Sequence, residues 1–455
     1  MLEMAYARRK SGKLTGWWKG LVMGLILECC VGISRAGLAC AAAGMRGTLS
    51  ANPGDTLQHV QRRSPDLPKY LTLSAHPSNT LQEIQKKNKD IGKLLKKTPW
   101  PKLERFSANG RTYSLPLRAG SRQPSDSPAK ARLACLAGFF DGNGCVSYAT
   151  NLTGAMLTVC QSWDQAEVLM ILRETLGGSI TRRHRGVGLT KPELQWRVCG
   201  GSARRAAQLL APHSIAKQKQ LLMAVQWPET KSAREQSRDE LRALKKYDSA
   251  TAGRCSWDYC AGFFDAEGHI EQPGAVACLR LRIVQKHPQV LNCLRSFLSR
   301  SLGIDATLGK PRASKYEMRI SGLSHCKRML QHMLATGLVC KAKQAEIAMG
   351  LTKQNAAQVN ARLACLNGNR QFGMSRDAAG RERARRINVA QKQAASLKRR
   401  RRLKDAEDKL HEVARLKSMD RLLNARRKNQ QLIEYIRKLQ SLLDSSWNGS
   451  LAPGM

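Results

Sequence analysis

The sequence predicts an α/β protein of the α+β type, built from two copies of one αββαββ unit. Three observations carry that prediction. The pentapeptide Ala-Gly-Phe-Phe-Asp occurs at residues 137–141 and again at 261–265, 124 residues apart. Two polar landmarks recur at the same separation, Gln161 with Gln285 and Lys217 with Lys341. Each pentapeptide ends a helix-like run and is followed by segments patterned as paired strands. A fixed internal period marks a duplicated unit, and polar positions kept in register imply that the chemistry is repeated with it.

Taken in order, residues 1–128 read as an extension. The first fifty carry seven Lys or Arg, with Glu3 and Glu28 as the acids. An apolar stretch at 20–33, broken by Glu28, leads into a small-residue run at 37–44. It is too short for a transmembrane helix and suits a signal or organellar presequence, or equally a leader that addresses nothing. The compartment stays open between an organelle (chloroplast or mitochondrion) and the nucleus. Residues 48–126, rich in Ser, Pro, Lys and Asn, are expected to be mostly irregular.

The first unit spans 129–230. It reads as a helix at 131–140 stopped by a turn at Gly142 to Gly144, then hairpin strands at 145–150 and 155–161. Asp164 is placed to cap a helix ending at Leu176, and a second hairpin follows at 179–185 and 194–199. Helices at 202–210 and 214–225 close the unit. Residues 231–254 form a charged connector, and 255–352 repeat the order. There the strands are expected at 269–271, 276–285, 306–309 and 316–321, with helices at 288–302, 324–335 and 341–349. Residues 353–455 are a basic tail. Between Arg376 and Lys428 it holds 19 Lys or Arg against 7 acids and no Pro, which favours long helix. Leu432, Ile436, Leu439 and Leu443 stand at helical spacing and can form a short coiled-coil seam.

Across 455 residues, 77 Lys and Arg oppose 34 Asp and Glu, a net charge of +43. Such a field attracts polyanions, with a nucleic-acid backbone as the first partner and a membrane surface as the competitor. Fourteen cysteines without a Cys-x-x-Cys pair and nine dispersed histidines argue for reduced core thiols and against a disulfide frame or zinc site.

The repeated string has its own chemistry. Gly138 and Gly262 remove bulk near the helix ends, so two such helices can cross closely at a pseudo-twofold axis. Acids just beyond each helix then meet, and paired carboxylates suit a divalent metal and phosphodiester hydrolysis.

The two strings resemble the LAGLIDADG motif of homing endonucleases, in the single-chain form with two motifs. The matching residues are Leu-Ala-Gly-Phe-Phe-Asp-Gly-Asn-Gly at 136–144 and Cys-Ala-Gly-Phe-Phe-Asp-Ala-Glu-Gly at 260–268. The resemblance covers both units, about half the chain. It implies that the metal-binding acid at the eighth place is Glu267 in the second repeat and is replaced by Asn143 in the first. It implies that Asp141 and Asp265 close the helix interface structurally. Gln161 and Gln285 resemble polar residues near the catalytic water. Lys217 and Lys341 resemble the basic residue that assists water activation or phosphate charge. Asn143 brings no negative charge, so full cleavage, nicking by Glu267 alone, and binding without cleavage all stay open.

The sheets of such a pair are expected to form a DNA-binding saddle. Arg182, Arg183, Arg185 and Arg197 lie on or beside the first unit's second hairpin; Arg280, Arg282, Lys310, Arg312, Lys315 and Arg319 are their counterparts. The function implied is a sequence-recognising DNA endonuclease using Mg²⁺, weakened or nicking because of Asn143. The alternative is a non-catalytic nucleic-acid binder or maturase acting on group I intron RNA. The partner expected is double-stranded DNA, with intron RNA under the alternative and no small-molecule substrate. The protein is expected to act as a monomer whose tail is available for association.

Overall fold

The computed structural model describes residues 80–119, 128–148, 154–253, 255–273, 277–312, 315–366 and 378–447. The leader at 20–44 lies outside these residues, as do the side chains of Lys310, Arg312 and Leu443. No helix among the described residues is long and apolar enough to cross a membrane.

The extension is not irregular throughout. It contains α1 (Leu81–Leu95) and a hairpin of β1 (Arg105–Ala108) and β2 (Arg111–Ser114). Thr80 and Glu83 form a reciprocal capping box that starts α1, and Ile84, Asn88, Ile91 and Leu95 form its buried stripe. The lysines between those positions hide the stripe from a compositional reading.

The first repeat comprises α2 (Lys130–Asn143), β3 (Gly144–Tyr148), β4 (Ala155–Ser162), α3 (Glu167–Leu176), β5 (Ser179–His184), β6 (Glu193–Cys199), α4 (Gly200–Leu210) and α5 (Gln218–Val225). The connector is itself a helix, α6 (Lys231–Lys246). The second repeat comprises α7 (Trp257–Glu267), β7 (Gly268–Glu271), β8 (Arg280–Gln285), α8 (Gln289–Leu302), β9 (Thr307–Arg312), β10 (Lys315–Ser321), α9 (Leu323–Ala335) and α10 (Ala342–Met349). The tail holds α11 (Ala356–Leu366), α12 (Ala378–Arg399) and α13 (Leu403–Trp447).

Both sheets are antiparallel with one strand order, β3-β4-β6-β5 and β7-β8-β10-β9. Alternation sends Leu194, Trp196 and Val198 to one side of β6, and Leu281 and Ile283 to one side of β8. Those residues share cores with the helices, Leu169, Leu172 and Ala207 in the first repeat and Leu291, Leu294 and Leu330 in the second. Each such side chain removed from water contributes roughly 1.5–3 kcal/mol. The opposite face of each sheet is left to polar and charged residues.

Three local expectations are corrected. The first motif helix runs through Asn143 rather than stopping before Gly142, so its strand starts without a turn. Asp164 caps nothing; it sits in a short 3₁₀ turn, bonded to Ser162 Oγ and Lys191 Nζ. Helix α5 starts at Gln218 rather than Ser214, because Asp141 holds the intervening backbone.

Candidate active site

The two motif helices set the site. Gly138 faces the backbone from Tyr259 to Phe263, Gly262 faces Cys135 and Phe139, and Gly142 faces Ala266. Helices α2 and α7 therefore run in the same direction and meet at their C-terminal feet. A Cβ on Gly138 or Gly262 would strike the partner's backbone, so glycine at both places is what permits the approach. Strands β3 and β7 leave directly from these feet.

The sixth-place acids fasten the repeats. Asp141 is buried and accepts hydrogen bonds from Ser214 Oγ (2.5 Å), from Ile215 N (2.7 Å), Ala216 N (2.8 Å) and Lys217 N (3.1 Å), and from Tyr259 Oη (2.7 Å) across the interface. Asp265 is likewise buried and accepts from Val339 N (2.6 Å) and Lys341 N (2.8 Å). Burial raises its carboxyl above the usual carboxylate range. With their oxygens so occupied, these acids fasten helix to loop.

Glu267 is different. It closes α7, and a Cβ on Gly142 would lie 3.0 Å from its Cγ, which places it one residue from Asn143 in the opposing foot. Burial raises its carboxyl above the ordinary value; against that stand the positive charges of Lys217, Lys341 and Lys315 and a hydrogen bond from Gln285. Gln161, at the matching place, bonds instead to Gln165 Oε1 (3.3 Å) and Cys340 Sγ (3.5 Å). The structure thus brings Glu267, Gln285, Lys217 and Lys341 together and gives Gln161 other partners.

The two lysines point their ammonium groups at the ends of the motif helices. Lys217 Nζ donates to Phe140 O (2.8 Å), Asp141 O (2.6 Å) and Gly142 O (3.3 Å), and Lys341 Nζ donates to Asp265 O. A cation at a helix C-terminus meets the negative end of the dipole. Burial pushes both lysines below their usual range, while Asp141 and Glu267 act in the other direction on Lys217 and Asp265 and Glu267 on Lys341.

The open sheet faces carry a second group. In the second repeat Glu271 lies 3.7 Å from Arg280 and 3.6 Å from Arg282, and Glu317 lies 3.9 Å from Arg282 and 2.7 Å from Arg319. Sequence reasoning does not reach these two glutamates, although period-two alternation already puts them on the arginine face. In the first repeat Arg183 bonds to Cys160 Sγ (2.8 Å) and Arg197 to Cys199 Sγ (3.2 Å). Arg182 and Arg185 leave that face: they donate to Leu103 O (3.2 Å) and Trp100 O (2.9 Å) of the extension. Arg182 pairs with Leu194 and so stands on the core side by ordinary alternation, and the ladder turns irregular only beyond it, between Arg182 and His184. Ten cysteines, from Cys135 to Cys340, are free thiols.

No family model and no curated protein matches the sequence. Solved structures do. The meganuclease I-SmaMI bound to uncleavable DNA is 16% identical, covering 53% of this chain and 99% of its own, with a TM-score of 0.38. I-SmaMI bound to an uncleaved DNA target with calcium ions is 15% identical over 53% of this chain, with a TM-score of 0.37. I-AabMI bound to uncleaved DNA is 16% identical over 50% of this chain and 96% of its own, also at 0.37. These likenesses are LAGLIDADG homing endonucleases.

Proposed function

We propose that this protein is a homing-type DNA endonuclease whose hydrolytic centre rests on Glu267. The observation that carries the reading is a desolvated carboxylate at the joined helix feet, bonded by Gln285 and within the fields of Lys217 and Lys341. From the same feet start two sheets whose open faces carry Arg197, Arg280, Arg282 and Arg319. Two-stranded elements bearing arginine fit a DNA groove, with phosphate contacts setting register and base contacts setting sequence.

The donor set bears on the metal. No group of three or more His, Cys, Asp or Glu suited to a metal ion occurs among the described residues. Mg²⁺ fits such a sparse site, because it is commonly held by one or two carboxylates with substrate phosphates completing the shell. Glu267 and the amide oxygen of Asn143 would hold it, and when bound it supplies charge neutralisation at the scissile phosphate. The chain's own groups do the rest. Gln285 fixes the Glu267 carboxylate. Lys217 and Lys341 neutralise the buried foot, so that a phosphate can approach a carboxylate without net repulsion.

Asn143 favours a specific form of this activity, nicking of the strand served by Glu267. A second reading, a non-cleaving binder or intron maturase, is favoured by the same residue. Both are separated by one experiment. Duplexes selected for binding from a random pool are incubated with and without Mg²⁺, using wild type, Glu267→Gln and Asn143→Asp. We expect Mg²⁺-dependent nicks from wild type, binding without nicks from Glu267→Gln, and double-strand breaks from Asn143→Asp. Binding with no cleavage by wild type or Asn143→Asp would sink the nuclease reading and leave the binder.

A further inference from the structure

The tail is a helical hairpin with a charged tip. Helices α12 and α13 close on each other through Ile387, Ala390, Ala394, Ala406 and Val413, all buried. Arg383 Nε meets Asp420 Oδ1 at 3.1 Å inside the pair. The small residues allow close approach and the half-buried ion pair fixes register, so the hairpin is a stiff arm.

One end of that arm is anchored to the first repeat. Leu432, Ile436 and Leu439 pack with Ile91 and Leu95 of α1 and with Trp100. Tyr435 Oη donates to Gly188 O (2.5 Å) in the β5–β6 turn, Asn88 Nδ2 donates to Ala425 O (3.0 Å), and Asn429 Nδ2 donates to Asn88 Oδ1 (3.0 Å). From Ala425 back to Leu403, α13 runs alongside α12, a reach of roughly 33 Å at about 1.5 Å per residue.

At the far end stand Lys398, Arg399, Arg400, Arg401, Arg402 and Lys404, all exposed. Among the described residues only Arg402 of the six has an ion pair, with Asp405 at 2.6 Å. Surface salt bridges of that kind contribute little, so the fold itself gains nothing from holding six cations together. We propose that this tip is a second nucleic-acid site, which grips the phosphate backbone of a duplex beyond the stretch covered by the sheets. Phosphates of double-stranded DNA follow one another at about 1.7 Å of axis per charge, so a compact cluster of cations meets several at once. Because the arm is bolted to the first repeat, the grip is one-sided. It adds affinity without sequence content and biases the protein to sit with its first repeat toward the gripped flank.

The proposal rests on the duplex-binding reading, and its test separates the two. Salt titrations of binding to a long random-sequence duplex are compared for wild type, a tip variant and a sheet variant. The tip variant replaces all six residues by Gln; the sheet variant carries Arg197→Gln, Arg280→Gln and Arg319→Gln. All six tip residues are exposed, so folding should be kept, and circular dichroism checks this. The slope of log K against log salt should become shallower by about 0.9 for each phosphate that is no longer neutralised. We expect the slope of the tip variant to be shallower by about 2 or more, with binding at moderate salt weakened about tenfold. An unchanged slope for the tip variant beside a weakened sheet variant overturns the tip site and leaves the nuclease reading standing. A weakened tip variant beside an unaffected sheet variant keeps the tip site and sinks the reading of the sheets. Tip-dependent binding to anionic phospholipid vesicles, with tip-independent duplex binding, overturns the proposal in favour of a membrane contact.

Discussion

At the scale of single residues, the two repeats use the same letters unequally. Asp141 gathers five donors, including a phenol from the opposite helix, whereas Asp265 is bonded by the backbone of the 339–341 loop. Hydrogen bonds to a charged group are worth about 1.5–3 kcal/mol each, and asparagine would present an amide to donors that expect an oxygen. Asp141→Asn should therefore cost about 2–4 kcal/mol of stability, and Asp265→Asn clearly less. Thermal melts of both variants check this; equal losses would show that the extra bonds to Asp141 add nothing. Glu267 and Asn143 are the other unequal pair, one a half-buried carboxylate among cations and the other uncharged. That difference is visible in the sequence, because the eighth place of each motif can be counted. The partners of each are not: the diversion of Gln161 toward Cys340 depends on contacts 179 residues apart.

Elements show where sequence reasoning reaches and where it stops. The helix–hairpin–helix–hairpin order is legible because alternation and apolar runs repeat at one period, and the glycine contact between helices is legible because Gly138 and Gly262 share a place in the string. The Asp164 cap fails because Lys191, remote in sequence, competes for the same carboxylate. Helix α1 escapes a compositional reading because its stripe is diluted by lysine. The Leu432 series is plainly apolar, but the identity of the helix it packs against, α1, is not legible in it. The helix interface also carries an asymmetry that the period exposes. Tyr259 crosses to Asp141, while its counterpart Cys135, 124 residues earlier, is too short to fill the equivalent space. A pocket of about 420 Å³, open to solvent on one side, lies beside Cys135 and is also lined by Phe139, Val168, Thr336 and Asp265. Cys135→Tyr should fill part of it and stabilise the protein by about 1 kcal/mol, raising the melting temperature by a few degrees. A lowered melting temperature would mean that the loop at Thr336 and Val339 cannot yield.

For the molecule as a whole, the two repeats receive unequal additions: α11 packs into the core of the second, whereas the β1–β2 hairpin, α1 and the long tail helix all converge on the outer hairpin of the first. Ile436 is 1% exposed at the centre of that junction. Ile436→Asp would bury an unpaired carboxylate, so α13 should detach while both repeats stay folded. Limited proteolysis would then cut within α13 and leave a resistant fragment holding the repeats, and Trp100 emission would move to longer wavelength. Persistence of an intact, protected tail would count against the junction as an anchor. The same junction ties Asn88 to Asn429, 341 positions further along. At about 5–20 residues per second of translation, the greasy face around Trp100 must wait roughly 17–70 s for the helix that covers it. During that wait both repeats are already made while one sticky flank is still bare, and that flank, rather than either sheet, is where a chaperone has most to guard.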